Sequence, residues 1–304
     1  MGKERYVITA GKVYLDIDAY GAGIAYRELM RGTGREAICV AGKAKPNESV
    51  APVILEIGLE LDQDDGEGGK YVILDVSNPE IVDEEIGLEN IVEVMDHHTG
   101  FEEFWAERKG TKVQIEFIGS VCTMVFERYV ECGRTDLLTR DICKLLVAGI
   151  LDNTLNLKAG ITTERDLVAY EKLLEIGELD ESWGEEYFRS CQGVIEEDLA
   201  GAILSGVKVE RVSEVLPEVI GQLLVLDAEG ILRRRGEVAE VLGGIGEGWM
   251  INVISLREGK SYILAADGAK EGLEKLFRRE FVGEELVLPR FMLRKEIIKR
   301  AREF

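Results

Sequence analysis

Short apolar runs that end in aspartate, spaced by segments of helical period, limit what this chain can fold into more than any other feature. The run 71–74 leads into Asp75, and the run 91–95 leads into Asp96-His97-His98. Runs of the same kind at 5–9, 37–40 and 112–117 extend the alternation. Between them, apolar residues recur with helical spacing at 18–30, 50–61, 121–130, 139–151 and 163–176. Strands alternating with helices predict an α/β domain with a mostly parallel sheet and helices on both faces. The carboxyl ends of such strands open on one edge, and ligand sites of open α/β sheets lie there. Asp75 and the 96–98 tripeptide are therefore expected to meet Asp16, Asp18 and Asp152, which also follow apolar segments.

The chain has two histidines, and both stand in that tripeptide. On its own the tripeptide reads equally well as a polar turn after a strand. Several carboxylates converging with an imidazole would repel one another, and a divalent cation is the usual resolution. Hard oxygen ligands with one imidazole suit Mn²⁺ or Mg²⁺ better than Zn²⁺. Asp18 and Ser120 also have plain structural readings, as helix caps. Thr163-x-x-Asp166 has the form of a capping box.

The chain is 304 residues long, which favours two domains, and its formal charge of −21 argues against a nucleic-acid polymer as partner. No apolar run approaches the roughly 18–20 residues that span a bilayer, and the N-terminal stretch lacks a hydrophobic signal core. Five cysteines without a C-x-x-C pair suit reduced thiols and a cytoplasmic location. An acidic stretch at 177–196 has no clean period. It divides the chain into an expected first domain at 1–187, a linker at 188–196 and a second domain at 197–304. In the second domain strands are expected at 207–212, 222–227, 250–255 and 261–266, with a helix at 270–278. The basic tail from Arg294 reads as a C-terminal helix.

Taken in order, the pieces are Leu15-Asp16-Ile17-Asp18, Asp75 in ILDVSNPE, Asp96-His97-His98, Gly119-Ser120 with Cys122-Thr123, and GILDNTLNLKAGITTERD; Lys208 and the pair Arg294-Lys295 follow. This pattern resembles the DHH phosphoesterase superfamily, in the branch with a second domain of the DHHA2 kind. That branch holds manganese-dependent (family II) inorganic pyrophosphatases, exopolyphosphatases and prune-like proteins. The resemblance implies a cleft between an N-terminal α/β domain and a smaller α/β domain. It implies metal ligands at Asp16, Asp18, Asp75 and His97, with Asp75 bridging, and one or two Mn²⁺ ions, or Mg²⁺ or Co²⁺. His98 would contact phosphate, and Ser120, Lys208, Arg294 and Lys295 would bind a small anionic phosphorylated substrate. The chemistry implied is hydrolysis of a phosphoanhydride or phosphoester.

Three positions depart from the family pattern. Lys12 stands where a histidine ligand precedes the first aspartate. An ammonium has no lone pair for a metal, so Lys12 is expected to act as a fixed cation beside Asp16 and Asp75. In the fourth motif Asn153 takes the place of the ligand aspartate, and Asp152 lies one residue early. Leu293 replaces the serine before Arg294-Lys295. The expectation is thus a phosphohydrolase with an altered metal site. The alternative is a catalytically weak paralogue that binds polyphosphate or nucleotide as a sensor. No membrane partner is expected, and a homodimer is left open.

Overall fold

A computed structural model describes residues 4–12 and 15–304. The start of the N-terminal stretch, and the two residues before the first motif, lie outside the described residues. The chain divides into two compact units, Met1–Tyr187 and Phe188–Phe304.

The first unit runs β1 (Arg5–Thr9), α1 (Ile17–Gly32), β2 (Glu36–Cys39), α2 (Pro52–Leu55), β3 (Lys70–Leu74), β4 (Ile91–Asp96), α3 (Glu102–Ala106), β5 (Lys112–Ile115), α4 (Val121–Glu131), α5 (Arg140–Asn153) and α6 (Glu164–Gly177), and it takes in the first part of α7 (Ser182–Glu197). The five strands are all parallel, in the order β2-β1-β3-β4-β5. The order reverses beside β1, which brings the ends of β1, β3 and β4 to the switch point where such sheets bind ligands. Val72, Ile73, Leu74, Val94 and Met95 are fully buried, as expected of strands covered on both faces.

Helix α1 lies very close to α5. A Cβ on Gly21 would sit 2.9 Å from the carbonyl oxygen of Leu145, and one on Gly149 would sit 3.2 Å from Asp18 Oδ1. Gly21 on α1 and Gly149 on α5 thus let these helices approach.

Two expectations need correction. The segment 50–61 was expected as one helix, but α2 covers only Pro52–Leu55. Gly58 adopts φ +76° soon afterwards, a left-handed conformation that a continuing right-handed helix cannot accommodate. The stretch expected as an irregular linker is mostly α7. Its buried residues Trp183, Tyr187, Cys191 and Ile195 recur every four positions, a helical stripe hidden among acids.

The second unit continues from α7 with α8 (Leu199–Ser205), β6 (Lys208–Val209), β7 (Val219–Val225), α9 (Glu229–Arg233), α10 (Arg235–Gly243), β8 (Trp249–Ser255), β9 (Lys260–Ala265), α11 (Asp267–Phe277), β10 (Leu286–Leu288) and α12 (Arg294–Arg302). Its sheet has the order β10-β9-β8-β7-β6 and is antiparallel except at β7–β8. Alternate residues divide between two cores. Leu223, Ile251 and Val253 pack with Ile203 of α8 and Leu242 of α10. Ile220, Met250 and Ile263 pack with Leu276 of α11 and Ile297 of α12. Among the described residues no helix is long and apolar enough to cross a membrane.

Candidate metal centre

Asp75 follows the last residue of β3. Its amide donates to Met95 O at 2.9 Å, which carries the parallel ladder one step past the strand. Its φ is +62°, a left-handed conformation that aspartate tolerates better than most residues but still at a cost. This turn buries the carboxylate at the strand end, where only 7% of the residue is exposed.

His97 follows the last residue of β4, and its ring is buried. Nδ1 lies 3.1 Å from the carbonyl oxygen of Ile118. A carbonyl can only accept, so Nδ1 carries the hydrogen and the neutral ring presents a bare Nε2. That nitrogen lies 3.3 Å from Asp75 Oδ1. Both atoms are buried, and neither has a hydrogen-bond partner. Two lone pairs facing each other out of water need a cation between them, whether a proton or a metal. Burial, and then the charges of Asp16 and Asp18, push the Asp75 carboxyl well above its ordinary range.

Asp75, His97 and His98 bring ligand atoms within 4.8 Å of one another. His98 Nδ1 is 2.9 Å from Asp96 Oδ1 and 3.7 Å from Asp75 Oδ1. The shorter contact assigns its hydrogen to Asp96, so His98 is oriented by Asp96 and does not turn a lone pair to Asp75. Asp96 Oδ1 also accepts the His98 amide at 3.0 Å. The His98 ring remains 56% exposed, leaving Nε2 for a ligand. Burial opposes its charge, but the bond to Asp96 and the field of Asp75 outweigh that and raise its pKa.

Asp16 is the N-cap of α1, with Oδ1 accepting from Ala19 N at 3.0 Å. Burial and the neighbouring Asp18 raise its pKa, while both histidines are close enough to oppose the shift. Asp18 is fully buried and binds the start of α4. Oδ1 accepts from Ser120 Oγ at 2.6 Å and Cys122 N at 2.9 Å, and Oδ2 accepts from Val121 N at 2.9 Å. Of the roughly four lone-pair sites of a carboxylate, about one is left over. Ser120 is the N-cap of α4, and its fully buried hydroxyl donates to Asp18 and accepts from Cys122 N. The phosphate contact expected of Ser120 is corrected to a cap, because no face of the hydroxyl reaches solvent.

Lys12 also lies elsewhere than expected. Its ammonium is 2.5 Å from Glu84 Oε2, on the loop after β3, instead of bridging Asp16 and Asp75. Its backbone N–H donates to Ile81 O at 2.9 Å, which ties it to the same loop. Nothing in the sequence pattern marks Glu84 as this competing anion.

Asp152, in the last turn of α5, accepts from Tyr187 Oη at 2.8 Å. Burial pushes its carboxyl up to about 7, with Asp16, Glu48 and Asp18 adding to the rise and Tyr187 opposing it. Its carboxylate thus feels the charges of Asp16 and Asp18, but among the described residues the ligand atoms gathered within 4.8 Å of one another are those of Asp75, His97 and His98. Asn153, half buried, ends the helix.

In the second unit Lys208 lies on the short strand β6, and burial and the charge of Arg294 lower its pKa. Arg294 opens α12. Its amide donates to Gln222 Oε1 at 2.6 Å, and its guanidinium donates to Gly206 O. Buried Asn252 donates to Met292 O at 2.6 Å, and Ser261 Oγ accepts from Met292 N at 3.1 Å, which fixes the approach to α12. Lys295 is exposed on the first turn.

Several supporting residues escaped sequence reading. Asp166, read only as half of a capping box, is indeed paired with Thr163 in that box. It also accepts from Gly119 N at 3.0 Å and Thr123 Oγ1 at 2.6 Å, which braces the turn into α4. Trp105 Nε1 donates to Ser77 O at 2.6 Å, and Ser77 Oγ donates to His98 O at 3.0 Å, which links the loops after β3 and β4. Tyr187 was hidden in the acidic stretch at 177–196, which has no clean period.

No family model matches the chain. Among curated relatives, a "Probable manganese-dependent inorganic pyrophosphatase" of Streptococcus mutans is 27% identical over 246 residues, covering 78% of this chain and 76% of that one. A "Manganese-dependent inorganic pyrophosphatase" of Methanothrix thermoacetophila is 22% identical over 297 residues, covering 92% of each chain. Among solved structures, a Methanococcus jannaschii protein provisionally named a family II inorganic pyrophosphatase superposes with a TM-score of 0.69 at 20% identity, over 99% of this chain and 100% of that one. An exopolyphosphatase-related protein of Bacteroides fragilis gives a TM-score of 0.50 at 14% identity, over 99% and 91%. In sequence along most of its length, and in fold over nearly all of it, the chain resembles the DHH phosphoesterase superfamily in its branch of manganese-dependent pyrophosphatases and exopolyphosphatases.

Proposed function

We propose that the chain is a divalent-metal-dependent phosphohydrolase acting on a small phosphorylated substrate at a phosphoanhydride or phosphoester bond. One observation carries this reading: the buried, unpartnered Asp75 Oδ1 and His97 Nε2, 3.3 Å apart, with the other nitrogen of His97 committed to a backbone carbonyl. A mixed oxygen and imidazole donor set suits Mn²⁺, the metal in the names of the relatives. Asp75 and His97 would hold the ion, with Asp16 and Asp152 as further carboxylates and the spare lone pair of Asp18 in reserve. When bound, such an ion polarises a phosphoryl oxygen and acidifies water to near neutrality.

The chain's own residues do the rest. Asp96 fixes the His98 ring so that Nε2 holds a proton toward the phosphoryl group. Lys208, Arg294 and Lys295 neutralise phosphoryl oxygens, with Gln222 and Asn252 holding the start of α12 in place. The test is phosphate release from pyrophosphate, tripolyphosphate, long polyphosphate, nucleoside phosphates and adenosine 3′,5′-bisphosphate with Mn²⁺, Mg²⁺ or Co²⁺. Metal-dependent turnover of at least one substrate is expected, lost in Asp75→Asn and reduced about 10²-fold or more in His98→Ala. The departures at Lys12 and Asn153 favour a second reading, a sensor that binds polyphosphate or nucleotide. Tight binding across this panel without turnover would select it.

A further inference from the structure

The fourth motif offers two adjacent candidates for a ligand, Asp152 and Asn153, and the hydrogen bonds distinguish them. Tyr187 is fully buried on α7. Its hydroxyl lies 2.8 Å from Asp152 Oδ1 and 3.2 Å from the carbonyl oxygen of Ser49. The side chain of Ser49 accepts from Ile17 N at 2.8 Å, and Ile17 stands between Asp16 and Asp18. A short relay thus runs from the first acidic motif through Ser49 and Tyr187 to Asp152. A phenol has one hydrogen to give, and the shorter contact assigns it to Asp152, which fixes the orientation of that carboxylate.

We propose that Asp152, not Asn153, is the fourth-motif metal ligand of this chain, and that Tyr187 is the positioning residue that aims it. The inference rests on the metal-dependent reading above. The one-residue displacement of the aspartate is compensated by a hydroxyl from a helix outside the motif. Hydrogen-bonded partners behind a metal ligand fix its orientation, and their loss typically costs 10–100-fold in affinity.

The experiment is Mn²⁺ calorimetry on chelator-treated full-length protein, a readout independent of turnover. Tyr187→Phe keeps the ring volume and removes only the hydroxyl, and should weaken Mn²⁺ about 10-fold or more. Asp152→Asn should weaken it at least as much, and Asn153→Ala should leave it unchanged. In the Asp152→Asn background, Tyr187→Phe should have no further effect, because a residue that acts through Asp152 has nothing left to position. A merely structural tyrosine would lower the urea midpoint without moving Mn²⁺ affinity, or would weaken binding equally in both backgrounds, and either result overturns the proposal. So does a loss in Asn153→Ala with none in Asp152→Asn. If the parent binds Mn²⁺ and Asp75→Asn abolishes it while Tyr187→Phe does not alter it, this inference falls and the metal-dependent reading stands. A parent that binds no Mn²⁺ overturns both.

Discussion

Asp75 combines a left-handed backbone with a buried carboxylate that faces a bare imidazole nitrogen. Each feature costs stability in the absence of a cation, which is characteristic of residues retained for function. Asp75→Asn keeps a side chain tolerant of the backbone and removes the crowded charge. In metal-free buffer this variant should be more stable than the parent by about 0.5–2 kcal/mol. Added Mn²⁺ should raise the melting temperature of the parent and not that of the variant; equal shifts in both would place the metal elsewhere. Asp62 shows the opposite electrostatics. Burial works against its charge, but the Cys39 amide, Arg31 and Arg27 outweigh it and hold its pKa below the usual range. Its folded pKa thus lies below the unfolded value of about 3.9, so its contribution is complete above that pH and is lost as pH falls through the folded value. Asp62→Asn should cost about 1–3 kcal/mol at pH 7 by urea unfolding, with the gap to the parent closing below about pH 4. A gap that stays constant to pH 3 would mean that shape, not charge, matters there.

At the scale of elements, α1 and α5 show a steric term overriding propensity. Gly21→Ala in a helix interior would ordinarily gain about 1 kcal/mol. Here the new methyl would sit 2.9 Å from the Leu145 carbonyl, a backbone atom that cannot turn away. The substitution should therefore destabilise by about 1–3 kcal/mol, measured by chemical denaturation, and a stabilised variant would refute the tight crossing. The parallel strands and their terminal aspartates were legible because burial on both faces leaves continuous apolar runs, and the ends of such runs must share an edge. The pairing of Asp18 with the start of α4 was not legible, because residues 18 and 120–122 meet only through the helix crossing. Helix α7 was overlooked because acids at its exposed positions masked the stripe of Trp183, Tyr187 and Cys191. The ion pair of Lys12 with Glu84 could not be read either, since loop carboxylates carry no period. Of the two basic residues that open α12, Lys295 is predicted to serve a ligand alone, and Arg294 both a ligand and the fold. Replacing Lys295 by Gln should weaken pyrophosphate binding several-fold with little change in melting temperature, because charge-assisted contacts to phosphate outweigh what an exposed cation gives to stability. Arg294→Gln should weaken binding and also lower the melting temperature, since its guanidinium holds Gly206 O. Unchanged binding with marked destabilisation would make α12 a purely structural helix.

For the whole molecule, a net charge of −21 sets the problem that the proposed chemistry must solve. A small phosphorylated anion would have to approach an acidic protein at a site where Asp16 and Asp18 already raise the pKa of Asp75. On the proposed reading, a divalent ion at the strand ends would offset much of that charge. The account therefore depends on what lies between Asp75 and His97. Diffraction from crystals grown with Mn²⁺, recorded at the manganese absorption edge, tests this most directly. The account predicts an anomalous peak within bonding distance of both Asp75 Oδ1 and His97 Nε2. A fully ordered site with no peak there, and with His97 Nε2 hydrogen-bonded directly to Asp75, would contradict it.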